Sequence, residues 1–260
     1  MVGGVGRHLA VLAWLTLLEG RRTRFLTLAV VAMVVGWLVS GFAGELAIIE
    51  AREVGVGILG SWLRLCAVLL ITLFAVNSQM RELHDKQLEL FLALPRPRGV
   101  HLVGRVMGQG VVALLLALLF AVPLMWRVPV GQVALWGFSL WVEQVIVAIF
   151  ALMSVLVLRQ VPLAVVATCG FYVLARSLEA LQLVGHGPVM PVHSPFLIFV
   201  NSIIVTLTYL IPALHRFTRA EWLMYGSGGW EDFFFIAAQG LAAGLLLTGM
   251  ALLDFARRRI

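Results

Sequence analysis

The chain is 260 residues long, 62% hydrophobic and only 12% charged, with a mean hydropathy of +1.02. That is too little polar surface for a fold built around one water-facing core, which excludes a soluble globular domain and implies a polytopic all-α membrane protein. The net charge of +6 is not a nucleic-acid signature, because the arginines gather at the ends of apolar runs, where they orient helices against the bilayer.

In chain order, residues 1–24 come first. Arg7 and His8 precede the apolar run LAVLAWLTLL, which has the length of a signal-peptide core. EGRRTR follows it instead of a small-residue cleavage site, and a spanning segment comes next. The reading is a retained N-terminal amphipathic interfacial helix, with Arg7, Glu19, Arg21 and Arg22 among the headgroups. The transmembrane domain then occupies 25–260. A helix needs about 20 apolar residues to cross the hydrocarbon. Segments 25–44, 61–80, 103–126, 133–158, 161–184, 195–214 and 233–255 approach that length.

Charge decides which of these cross. Arginines before the first span, the basic loop at 81–102 and the closing FARRRI all favour the cytoplasmic side. If every segment crossed, the final arginine triplet would lie outside. The segment 195–214 is the candidate not to cross, since it carries Asn201, Ser202, Thr206 and Thr208 and has Pro195 and Pro212 at its ends. It can enter the membrane and return if protein covers its backbone. The expectation is therefore six spans, a re-entrant or interfacial insertion within 185–232 before the last span, and both termini in the cytoplasm. With this topology 13 of the 19 basic residues lie at the inner side.

The first cytoplasmic loop carries the most information. Residues Arg81 to Leu94 are good helix formers, with Arg81–Asp85 and Glu82–Lys86 spaced as i,i+4 ion pairs. Leu83, Leu90, Phe91 and Leu94 lie near one face, and PRPRG ends the helix. Retention on the inner side would need only the basic residues. Glu82, Asp85 and Glu89 are interspersed with them, and a mixed-charge helix with an apolar stripe suits docking to a protein.

The run NSQMRELHDKQLELFLALPRPRGVHLVGRVMGQ resembles the first cytoplasmic loop of type-2 ABC transporter permeases. There, an acidic helix with an LE-x-LL-x-x-P pattern precedes a basic residue and the next span. Leu88, Glu89, Phe91, Leu92 and Pro95 match that pattern, with leucine departing from it at 94, and Arg98 and Arg105 stand where basic residues follow. LLEGRRTRF is similar to the family's N-terminal interfacial helix. The resemblance implies a dimerising permease subunit that binds two copies of a cytoplasmic ATPase and pairs with a second permease subunit, the same or different. It makes 81–94 the coupling helix, with Arg81, Glu82, Asp85, Lys86 and Glu89 contacting the ATPase. It also implies an inner, cytoplasmic membrane location and export as the direction. The chain is not expected to be catalytic by itself: a P-loop requires lysine after glycine, and the sole lysine, Lys86, sits between Asp85 and Gln87.

Elsewhere, Glu143 falls near the middle of the fourth span, where a charge costs about 2.5–3.5 kcal/mol or more unless paired or protonated. It reads either as a pathway or dimer-interface group or as a protonated, hydrogen-bonded glutamate. Arg64, Arg176 and Glu179 map to the outer ends of their spans. Arg176 and Glu179 have i,i+3 spacing, and Arg64 can join them if spans two and five are neighbours. His186, Met190 and His193 form a soft ligand set in a proline-rich outer loop, a weak metal candidate whose plainer reading is an ordinary loop. Cys66 and Cys169 sit inside apolar runs without metal spacing. Tryptophans 37, 62, 126, 136, 222 and 230 read as an interfacial belt. No cofactor and no nucleic-acid partner is expected beside the lipid bilayer. The competing reading is a membrane scaffold or assembly factor docking a non-ATPase partner.

Overall fold

The computed structural model describes residues 16, 18–20, 24–47, 49–84, 99–186, 202, 206 and 212–257, with backbone alone at 99–100, 179–186 and 255–257. The apolar runs form α1 (Phe25–Leu46), α2 (Ala51–His84), α3 (Gly99–Ala121), α4 (Val130–Leu158), α5 (Val161–His186) and α7 (Trp230–Arg257); a short α6 (Ala220–Tyr225) precedes the last. Each of the six long helices contains a stretch long and apolar enough to cross a bilayer. The chain is an all-α, multi-pass membrane protein. Residues 16 and 18–20 are helical ahead of the first span.

Local chemistry sets the helix ends. Pro129 stands at the N-cap of α4, where its missing N–H costs nothing. That helix closes on Arg159 in the left-handed region, φ 52°, whose N–H donates to the Val155 carbonyl. The turn leads directly into α5, with Pro162 in its first turn. Short connections of this kind force successive helices to run antiparallel. One end of the bundle therefore carries Arg24, Arg81, Arg105 and Arg159 and is called here the basic end.

The burial pattern is that of a protein in lipid. Leu38, Phe42 and Leu46 on α1 and Leu241, Leu245 and Leu246 on α7 are each about two-thirds or more exposed. The core instead surrounds α4, the most deeply buried of the six, which packs against α2, α3, α5 and α7. Trp136 and Trp222 belong to that core at 1% exposure, whereas Trp126 and Trp230 stand outward at the opposite end. The belt expected from six tryptophans is thus partly a core feature.

The second span starts ten residues earlier than the sequence suggests, at Ala51 rather than near 61. Gly57 and Gly60 weaken the helical signal there, and tertiary packing supplies the reason for them. A Cβ on Gly60 would come within 2.5 Å of Leu223 Cδ1, and one on Gly57 within 2.8 Å of Met224 Sδ. The glycine face of α2 is the seat of α6. At this same end, away from the basic one, Arg127 ties two turns together: it donates to Ser40 Oγ at 3.0 Å and lies 4.4 Å over the Trp37 ring, while its carbonyl accepts from Arg52.

Most of the expected re-entrant segment 195–214 lies outside the described residues. Its exit is described: a 3-10 turn at Leu214–Arg216 followed by irregular backbone to Arg219. Leu214 and Phe217 are fully buried among the helices. Irregular backbone at this depth is tolerated because protein covers it and satisfies its polar groups.

Candidate functional site

The groups that satisfy that backbone make up a polar cluster inside the bundle. Glu143 lies near the midpoint of α4, fully buried. Its Oε1 is 3.3 Å from Arg176 Nη1 on α5, and its Oε2 accepts a 2.6 Å hydrogen bond from Thr218 Oγ1. Arg176 Nη1 also donates to the Leu214 and Phe217 carbonyls, at 3.0 and 3.2 Å. From α2, Arg64 Nη1 donates to the Thr218 carbonyl at 2.9 Å, and on α4 the Ser139 hydroxyl accepts the Thr218 N–H at 2.7 Å. Three helices therefore converge on one loop.

Thr218 sits at φ 45°, a left-handed conformation that a β-branched residue rarely adopts. Such strain costs on the order of 1–3 kcal/mol and persists only where the surroundings over-determine it. Here its N–H, carbonyl and hydroxyl are all bound, each to a different side chain. Two guanidiniums face one carboxylate, so the cluster carries one excess positive charge when all three are ionised. Charged hydrogen bonds in a low-dielectric bundle are strong, and their loss leaves buried charge exposed to lipid-like surroundings.

A second cluster closes the basic end, and Arg105 on α3 is its hub. Its guanidinium pairs with Glu82 at the end of α2, lies 3.5 Å from Glu19 Oε2, and donates to Ser78 Oγ and Thr16 Oγ1 at 3.2 and 3.3 Å. Ser78 in turn donates to Glu19 at 2.6 Å, and His101 Nε2 is 3.5 Å from Glu82 Oε2. One arginine thus joins the segment preceding α1, the last turns of α2 and the first turns of α3.

These positions modify several expectations. Glu82, expected on the docking face, turns inward at 8% exposure because Arg105 offers it a fixed cation inside the bundle. Arg81 is exposed. Asp85, Lys86 and Glu89 lie outside the described residues. Glu19 reaches inward to Arg105 and Ser78 rather than resting wholly in the headgroups. Arg176, spaced to pair with Glu179, directs its guanidinium across to α4, and α2 and α5 are neighbours as Arg64 required. The side chains of Glu179 and His186, and residues Met190 and His193 entirely, lie outside the described residues. Among the described residues no group of three or more His, Cys, Asp or Glu could hold a metal. Sequence reasoning missed Thr218 and Ser139 altogether. It registered Arg105 only as a basic residue after the loop, although a lone arginine within an apolar run was itself a sign of a buried partner.

No protein-family model matches the chain, and no curated protein does. Fold and sites together define the class: a six-span, all-α integral membrane protein with a mid-bundle ionic cluster and a clamped basic end.

Proposed function

We propose that the chain is the membrane-spanning permease subunit of an ATP-driven exporter, worked by separate cytoplasmic ATPase subunits through the helix at 81–94. The observation that carries this reading is the Arg105 hub. The loop between α2 and α3 leaves from His84 and returns at Gly99, and the hub grips both of its anchors, Glu82 on one side and Arg105 with His101 on the other. A load applied to the loop cannot move one helix without the other.

The load also has a route to the mid-bundle cluster. Helix α2 is continuous from His84 back through Arg64. At 1.5 Å per residue, the 18 residues from Glu82 to Arg64 span about 27 Å. Tilting α2 at its basic end would displace Arg64 from the Thr218 carbonyl and loosen the loop that plugs the bundle. In this reading the Glu143–Arg176–Thr218 cluster holds the closed state, and ATPase closure releases it. The residues Arg81, Asp85, Lys86 and Glu89 make the ATPase contact, with Glu82 serving as its internal anchor.

The test is a mild-detergent pull-down of the chain from its native membrane, comparing wild type with Asp85→Lys/Glu89→Lys, which leaves Glu82 in place. Recovery of an ATP-binding protein with wild type and its loss with the variant supports the permease reading. Recovery of no ATPase with either overturns it and favours a scaffold that docks another partner.

A further inference from the structure

We propose that the groove between α1 and α2 at the basic end is a binding site for an anionic phospholipid of the phosphatidylglycerol type. The groove encloses about 180 Å³. Phe74 forms its floor, packed on Phe25 with ring centroids 5.2 Å apart, and Leu28, Leu70 and Leu73 form its apolar walls. Two arginines from different helices, Arg24 ahead of α1 and Arg81 in the last turn of α2, stand at its rim. Both are exposed, and neither guanidinium has a hydrogen bond or ion pair to another described residue.

The charge balance at the rim favours an anion. Among the described residues Glu19 is the only carboxylate lining the groove, and it is already engaged by the Ser78 hydroxyl at 2.6 Å and by Arg105 at 3.5 Å. Asn77, the other polar neighbour, spends its side-chain amide on the Leu73 carbonyl at 2.8 Å. Among the described residues nothing else engages the guanidiniums of Arg24 and Arg81, and paired guanidiniums match a phosphate with several N–H donors in fixed geometry. Their height is also appropriate, because residues 24 and 81 flank the apolar lengths of two spans, where headgroups sit. From there the apolar wall runs along Leu73 and Leu28, which are 43% and 54% exposed, towards the bundle centre. A phosphate held at the rim with one acyl chain along the leucines uses both halves of the site. Inorganic phosphate would leave the apolar wall unused, and a choline headgroup would set a third cation beside the two arginines. Basic pockets between transmembrane helices take anionic headgroups for this reason.

Both readings use Arg81, but this one is tested without an ATPase, so its failure and that of the permease reading are distinguishable. The full chain, purified in a neutral detergent, is followed by thermal unfolding while phosphatidylglycerol, phosphatidylcholine with the same acyl chains, or inorganic phosphate is titrated in. The expected result is a saturable rise in unfolding temperature with phosphatidylglycerol, exceeding that with phosphatidylcholine, and none with phosphate. Arg24→Gln/Arg81→Gln should abolish the excess, whereas Arg159→Gln, at the same end but away from the groove, should keep it. If the double variant does not fold, Arg81→Gln alone and Leu73→Trp, which fills the groove from its apolar wall, should each reduce the excess. An undiminished excess in the groove variants that fold, an equal response to phosphatidylcholine, or a shift with inorganic phosphate alone would overturn the assignment.

Discussion

At the scale of single residues, Thr218 illustrates how polar satisfaction outweighs backbone preference. Its left-handed φ is unfavourable, yet each of its three polar groups has a partner, and one of those partners is the carboxylate of Glu143. Thr218→Ala keeps the strain and leaves a buried carboxylate oxygen without its donor. It should cost about 1–3 kcal/mol, and Thr218→Ser should cost distinctly less. Equilibrium unfolding in mixed micelles measures both. Glu143→Ala removes the counter-charge from Arg176 and is expected to cost about 3–5 kcal/mol, the range for an uncompensated buried charge. Glu143→Leu/Arg176→Leu should cost less than Glu143→Leu alone, because one guanidinium rather than two is left without a carboxylate. A double variant as damaging as the sum of the singles would show that the pair acts through separate partners.

At the scale of elements, close helix approach depends on positions where only glycine fits. On α1, a Cβ at Gly36 would lie 2.5 Å from Trp62 Cδ1 on α2, and the Trp62 Nε1–H is fixed by a 3.0 Å hydrogen bond to the Ala32 carbonyl. The indole cannot move aside without giving up that bond. Gly36→Ala should therefore destabilise the α1–α2 hairpin by about 1–3 kcal/mol, the range for overpacking. Adding Trp62→Leu to Gly36→Ala should recover part of the loss, and the same micelle titration reads it. The seat of α6 on Gly57 and Gly60 should be more forgiving of alanine. There the opposing atoms are the ends of the flexible Leu223 and Met224 side chains.

At the scale of the whole molecule, six antiparallel helices place the start of α1, the α2–α3 loop and the α4–α5 turn at one end. The α3–α4 turn and the segment before α7 lie at the other. With Cys66 and Cys169 replaced by serine, single cysteines at Arg81 and Arg159 should react with an impermeant reagent from one face of the membrane. Those at Trp126 and Trp230 should react from the other. Labelling of position 230 from the same face as position 81 would refute the six-span arrangement. The positive-inside rule further assigns the Arg81 face to the cytoplasm, and the same experiment in intact cells decides that orientation.

The sequence by itself determined the class and most of the element list. Apolar length and charge spacing are one-dimensional properties, and a bilayer imposes the same requirement on every span, so α1, α3, α4, α5 and α7 were legible within a few residues. Glu143, Arg64 and Arg176 stood out for the same reason, as charges where apolar residues belong. Which of them meet was decided only by tertiary structure. A charge in an apolar run announces that it needs a partner, but the partner is supplied by helix packing across more than 30 positions for Arg176–Glu143 and more than 150 for Arg64–Thr218. The glycine-rich start of α2, the inward turn of Glu82 and the role of Arg105 as a hub belong to the same category. Each depends on what lies across the interface, where burial turns a modest local preference into a large free-energy difference.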